Sequence, residues 1–270
     1  SAALGTASTL HLLYLSGQLA AWAPLVHLTI FGWISGMIFA VSYHTMPHFA
    51  AREWPYPHLT DAHLLLFVLG VAGATAALWW GWSAVLLGGL LLQAAGAVTF
   101  VVHTILMMVR GAPRAAHAPA LPLDGQRQVD RVGTQATKLA ALALPLALLL
   151  LAATARGGRG GAWWLAAEHL AVLGWVMLMV VGVAYHVLPR FSGHPLRGVA
   201  WARAQLACHV AAVVVMVPAL GFGWSGAFAV GALLMTTALL LFAATVQPAV
   251  HQLRPALLTI SFNPVKERSP

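Results

Sequence analysis

The sequence predicts an all-α integral membrane protein with eight transmembrane helices, arranged as two parallel four-helix repeats. Three observations lead there. Of the 270 residues, 60% are hydrophobic and only 7% charged, with a mean hydropathy of +0.83, whereas a soluble domain carries about a quarter charged residues. Eight segments reach the roughly 20 apolar residues that a spanning helix needs. Finally, the segment HLTIFGWISGMIFAVSYHTMPHF (27–49) recurs as HLAVLGWVMLMVVGVAYHVLPRF (169–191), identical at 10 of 23 positions at an offset of 142. The same offset carries Gly81-Trp82-Ser83 onto Gly223-Trp224-Ser225 and Trp22 onto Trp164. A register held across half the chain marks an internal repeat.

In chain order the expected spans are 4–22, 25–46, 61–80, 84–109, 136–155, 166–188, 203–221 and 226–247. Pro47, Pro55 and Pro57 are expected to end the second span, and the Gly157–Gly161 run to separate the fifth from the sixth. These breaks divide the chain into a first repeat (1–110), a cytoplasmic linker (111–135), a second repeat (136–248) and a cytoplasmic tail (249–270). Four helices per repeat is an even number, so the repeats enter the membrane in the same direction, related by an axis along the membrane normal.

Of the 14 Lys and Arg residues, all but Arg156 and Arg159 fall on the face that holds both termini. The positive-inside rule makes that face cytoplasmic. The location expected is the prokaryotic inner (cell) membrane, multi-pass, with the lipid bilayer as surroundings. The net charge of +8 reads as membrane-edge arginine, with no nucleic-acid partner expected. The single Cys208 excludes an internal disulfide or a thiolate cluster and reads as a small filler.

The 13 histidines then fall into layers. His27 and His169 start their spans near the outer face. His44 and His186 follow 17 residues later, about 25 Å deeper at 1.5 Å per residue. His11, His63, His103 and His209 map to the cytoplasmic half of their helices; His48, His58, His117, His194 and His251 lie in loops or interfaces. Ionisable side chains inside a membrane point to function, since burying them is costly. Two neutral imidazoles at equal depth on equivalent helices suit a six-coordinate heme iron, so His27 and His169 are the expected axial ligands. Gly32 and Gly174 leave room for a macrocycle or for close helix packing. His44 and His186 have three open readings: a second bis-His heme, a copper site with His63, His103 or His209, or interfacial residues. His11 is a further candidate. Tyr43 and Tyr185 read as interfacial aromatics. Arg156 and Arg159 share the outer face with His27 and His169 and suit the propionates of a heme there. Arg190 and Arg197 suit a propionate, a quinone or the interface; Glu168 reads as an orienting group for His169 or a helix-start carboxylate.

The two repeated segments resemble the second and tenth helices of heme-copper oxidase catalytic subunits, especially the C-type oxidases and nitric oxide reductases. The residues that carry the resemblance are the leading His and the Gly-Trp pair in both and, in the second segment, the Tyr-x-x-x-Pro-Arg exit. It implies that His27 and His169 ligate one low-spin heme b, or the first of two, near the outer side, with copper as a further possible metal. It implies electron transfer in a respiratory or nitrogen-oxide pathway, with a quinol, a cytochrome c or a cupredoxin as redox partner, either alone or within a larger membrane complex. The chain departs from that pattern at Ala167, where the family has a second His, in lacking a His-His doublet, and in having eight rather than twelve expected spans. In size it is closer to NnrS-type membrane proteins. The alternatives are an oxidoreductase acting on nitric oxide or oxygen at a heme or heme-metal site, and a metal or small-molecule transporter.

Overall fold

A computed structural model of the chain describes residues 22–113, 125–155 and 161–259, with side chains to 253. Seven helices among them are long and apolar enough to cross a bilayer: α1 (Trp22–Ala50), α2 (Pro57–Trp80), α3 (Ser83–Arg110), α4 (Gln126–Thr154), α5 (Ala162–Ser192), α6 (Val199–Phe222) and α7 (Ser225–Thr259). Their outward faces carry large apolar side chains in the open: Leu65, Val68, Val214, Leu233 and Leu240 are each at least 60% exposed. In water such a surface would be a large aggregation patch, so its natural solvent is lipid. The expected span 4–22, with His11, lies outside the described residues, as do Arg156, Arg159 and His117.

Four boundaries differ from the sequence reading. α1 runs past Pro47 to Ala50, and α5 past Pro189 to Ser192. A proline forfeits its own N–H bond and crowds the carbonyl four residues back, yet each helix continues past it to the turn where Ala51 (φ 51°) and Gly193 (φ 68°) become left-handed and donate to the Pro47 and Pro189 carbonyls. α4 begins at Gln126, ten residues before the expected 136. Val129, Val132, Gly133 and Ala136 recur at helical spacing and are buried, so the end of the expected linker is the first turns of a helix. α7 continues through Pro248 to Thr259, because Val246 and Ala249 bury against the core on either side of it.

α2 packs mainly on α3 and α6 on α7, each pair as a tight hairpin. Gly81 (φ 81°) and Gly223 (φ 72°) supply the left-handed turns, and Trp82 and Trp224 donate back to Ala77 and Ala219, the bond pattern of a Schellman ending. α2 and α3 approach closely because both sides are bare at the crossing. A Cβ on Gly70 would lie 2.7 Å from the Gly89 carbonyl oxygen.

Both histidine-led helices open into a π-helical stretch directly after the histidine: Leu28–Ile34 in α1 and Leu170–Met177 in α5. Such segments leave carbonyls out of the ordinary ladder and are frequent at functional sites. In α1 the Ile30 carbonyl accepts the Ser35 hydroxyl at 2.8 Å, and Ser35 Oγ in turn accepts the Trp175 indole N–H at 2.9 Å. Trp175 is wholly buried and stacks at 5.5 Å on Phe39. α1 and α5 are thus joined at mid-depth by one polar bond inside an apolar contact.

Candidate functional site

Two polar clusters stand out among the described residues, and neither includes His27 or His169. His27 is buried, with its ring at 4.7 Å from Phe31. Its Nε2 sits 3.0 Å from the side-chain nitrogen of Gln93 on α3, and that same nitrogen donates to the Gly70 carbonyl at 3.1 Å. The Gly70 bond fixes the amide orientation, so the Gln93 N–H is the donor and His27 Nε2 the acceptor. The lone pair that would bind iron is therefore taken. On α5, His169 Nδ1 donates to the Leu165 carbonyl at 2.8 Å, leaving Nε2 as the acceptor, and its ring meets Phe228 of α7 edge-on at 6.4 Å. Each histidine is engaged within its own half of the chain. His169, with Nε2 open, fits a heme ligand, and His27 would fit one on leaving Gln93. Glu168 accepts from the Trp164 indole at 2.9 Å, within its own helix.

The first polar cluster, one carboxylate and its donors, is built on α4 and α5. Asp130 accepts from His186 Nδ1 at 3.1 Å, from both Nη1 and Nη2 of Arg190 at 3.1 Å, and from the Gln126 amide at 2.9 Å. A carboxylate shared by a guanidinium fork and an imidazole is held in one orientation. It also fixes the histidine: Nδ1–H points to Asp130, and Nε2 is the free nitrogen. Thr134 Oγ1, 3.4 Å from that nitrogen, spends its hydrogen on the Asp130 carbonyl, so it offers Nε2 no donor. The two helices come this close at bare positions. A Cβ on Gly133 would lie 2.8 Å from the Gly182 carbonyl oxygen and 3.1 Å from His186 Nε2.

This cluster lines a cavity of about 260 Å³ bounded by Ser42, Met46, Phe49, Met179, His186, Arg190 and Asp130. A second cavity of about 420 Å³ lies between α3 and α4, with Phe100, Ile105, Val109 and Leu142 in its walls. Met46, Met108, Thr134, Thr137 and Met179 line both. Ile105, Val109 and Leu142 are more than half exposed on the outer face of the bundle. A lipid-side groove thus leads inward, across shared walls, to a fixed histidine, carboxylate and arginine.

His44 and His186 are not brought together. His44 meets His48 one turn along its own helix at 5.5 Å, whereas His186 meets Phe49 at 5.5 Å and Arg190 lies over the same Phe49 ring. His209 is satisfied by the Leu173 carbonyl at 2.9 Å and by the Gln205 amide. Arg197 donates to Gln247 and covers Trp201. Among the described residues no three His, Cys, Asp or Glu side chains converge into a metal-binding group.

The second cluster is His63 of α2 with His103 of α3, both fully buried. The rings of Tyr43 (5.7 Å from His63, 6.1 Å from His103), Phe39 and Trp54 surround them. Tyr185 is therefore an interior residue, fully buried and donating to Gln205, whereas Tyr43 is half-buried. The sequence reading passed over Asp130, which falls in the expected linker, and Gln93, a lone amide in mid-span. The helical spacing of Val129, Val132 and Ala136 is the signal that would have placed Asp130 on a helix.

No protein-family model, curated protein or solved structure matches this chain.

Proposed function

We propose that this protein is a multi-pass membrane redox protein that binds a quinol-type molecule in the cleft between α1, α3, α4 and α5. The observation that carries the reading is the sharing of walls between the lipid-side groove and the cavity of His186, Asp130 and Arg190. A quinol is an apolar tail on a ring with two hydroxyls, and such sites combine apolar walls with a few fixed polar groups. The groove suits the tail. His186 Nε2 is the acceptor for a ring hydroxyl, and a proton taken there gives an imidazolium stabilised by Asp130. Arg190 holds Asp130 in place and keeps the cluster from carrying an uncompensated negative charge.

Among the partners that electron transfer allows, this geometry favours the quinol over a cytochrome c or a cupredoxin, which dock on exposed surfaces. The heme b implied by the resemblance would supply one-electron chemistry. His169 is the residue ready to hold it, and His27 becomes available only on leaving Gln93. The two halves are read as parallel four-helix repeats, the eighth helix being the 4–22 segment, with both termini cytoplasmic.

Two measurements test the reading. Titration of the purified protein with a short-chain quinone analogue should give saturable binding that His186→Gln weakens at least tenfold; equal affinity in that variant would refute the site. A reduced-minus-oxidised spectrum should show a b-type α-band that His169→Ala abolishes; a featureless spectrum would remove the electron-transfer assignment while leaving the binding site intact.

A further inference from the structure

The quinol reading uses the apolar walls of the lipid-side groove and leaves the cations beside them without a role. Lys138 of α4 lines that groove, and Arg131 lines the cavity that shares walls with it. Both are exposed. Among the described residues the ion pairs all go to Asp130, from His186 and from Arg190, and no carboxylate lies within 4 Å of Arg131 or Lys138. The next cation along the same end, Arg110 at the close of α3, donates to the Tyr56 hydroxyl at 3.4 Å. The mouth of the groove therefore presents positive charge to its surroundings.

Lys138 stands deeper than a membrane-edge cation. It shares the groove with Val101 and Thr104, which precede the end of α3 at Arg110 by about 9–14 Å at 1.5 Å per residue. An ammonium at that depth is costly unless an anion meets it. Side chains lean toward the N-terminus of their helix. The first turns of α4 lie beside the last of α3, since Arg131 and Met108 line one cavity. The lysine stem thus follows the groove wall and its head rises toward Arg131, as long charged side chains do at a membrane edge. Arg131 is two turns earlier on the same face of α4, because a heptad returns a helix to within about 20°. The two cations flank one place at the mouth of the groove.

We infer that this mouth binds one anionic phospholipid, with its phosphate on Arg131 and Lys138 and an acyl chain along the groove. The apolar walls select a chain: Ile105, Val109 and Leu142 open toward the bilayer, and Phe100 and Ala141 continue the same surface inward. The cations select the headgroup. A phosphate diester gives them charge-assisted hydrogen bonds. In a zwitterionic lipid its charge is offset by the headgroup ammonium, and in an anionic lipid it is not. Basic pockets between membrane helices hold anionic headgroups in this way. Free phosphate would meet the cations but leave the groove unfilled, so the ligand is the whole lipid. Its chain takes walls that the quinol tail would use, so the two exclude each other there. That last step rests on the quinol reading; the lipid site does not.

The test uses the full chain in detergent, supplied with dioleoylphosphatidylglycerol or dioleoylphosphatidylcholine, and counts retained phospholipid per chain by native mass spectrometry. Wild type should retain a single phosphatidylglycerol and release phosphatidylcholine. Arg131→Gln with Lys138→Gln changes only exposed side chains, so folding should survive while lipid affinity falls about thirtyfold, the share of two basic residues at a membrane surface. Arg203→Gln, an exposed charge in the first turns of α6, should keep the lipid. Ala141→Phe fills the groove but leaves both cations, and should lose it. Equal retention of the two lipids, retention in the double or the Ala141 variant, loss in the Arg203 variant, or displacement by inorganic phosphate would each overturn the site. Added phosphatidylglycerol should weaken binding of a quinone with a decyl tail in wild type but not in the double variant; no weakening would overturn the shared walls. His186→Gln should keep its lipid while losing quinone, so failure of the quinol reading and failure of the lipid site are told apart.

Discussion

Replacing Asp130 by Asn tests the cleft most directly. Asn keeps the shape of the side chain and can still accept the His186 Nδ1–H, but it removes the charge that receives both Arg190 bonds and replaces one oxygen with a donor facing them. Breaking a fully buried pair costs about 3–5 kcal/mol and breaking an exposed one about 0–1 kcal/mol. The side chains of Asp130 and Arg190 are both 22% exposed, so the loss should fall between these, at about 2 kcal/mol. For a chain of this size that lowers the thermal midpoint by about 4–8 °C. Arg190→Gln should cost a similar amount. The double variant should cost clearly less than the sum, with a coupling of about 1 kcal/mol or more. Thermal unfolding of the four proteins of this cycle in one detergent, at one scan rate, measures the coupling. Quinone titration of the same set should show an affinity loss of about tenfold, or about 1.4 kcal/mol, in both single variants. Additive effects within about 0.5 kcal/mol would show that the three-residue network is not an energetic unit, and the cleft would lose its anchor.

Three further outcomes are expected. Gly133→Leu should force α4 off α5 and abolish quinone binding with a drop in thermal midpoint, whereas Gly133→Ala should do both more mildly; unchanged binding in the Leu variant would refute the tight crossing. Ser35→Ala should leave the Trp175 N–H unpaired in an apolar contact and destabilise by about 1–3 kcal/mol, read from the same melts, and less so in a Trp175→Phe background. A topology reporter fused at Pro270 should be active in the cytoplasm; activity confined to the periplasm would contradict the charge-based orientation.

The seven described helices were legible because a bilayer demands long apolar runs, and their ends were not. Prolines were given too much weight as terminators: Pro47, Pro189 and Pro248 all sit inside helices whose neighbouring residues bury well. The start of α4 was missed because Arg127, Asp130 and Arg131 dilute its hydropathy, although its buried face keeps helical spacing. Among the site residues, the histidines stood out in the sequence by type and by repetition, but their partners did not. That Gln93 takes the lone pair of His27, or that Asp130 orients His186, depends on contacts between residues 66 and 56 positions apart. No local pattern encodes such pairings.

The two halves keep a common frame and differ in what fills it. Both leading histidines are followed by a π-helical stretch, and both interior tyrosines face a phenylalanine. Yet Trp175 is buried against Ser35, while its counterpart Trp33 is 71% exposed. His27 meets Gln93, whereas the position matching Gln93 in the second half is Met235, an apolar residue of a separate small core cluster. A function that used both halves alike would keep their polar groups in register. Here the polar groups are the part that differs, and the proposed quinol cleft is accordingly a single site, at His186 and not at its counterpart His44. The shared frame then acts as scaffold. It sets the depth of each helix and the spacing of the aromatic rings, and leaves each half free to carry a different ligand set.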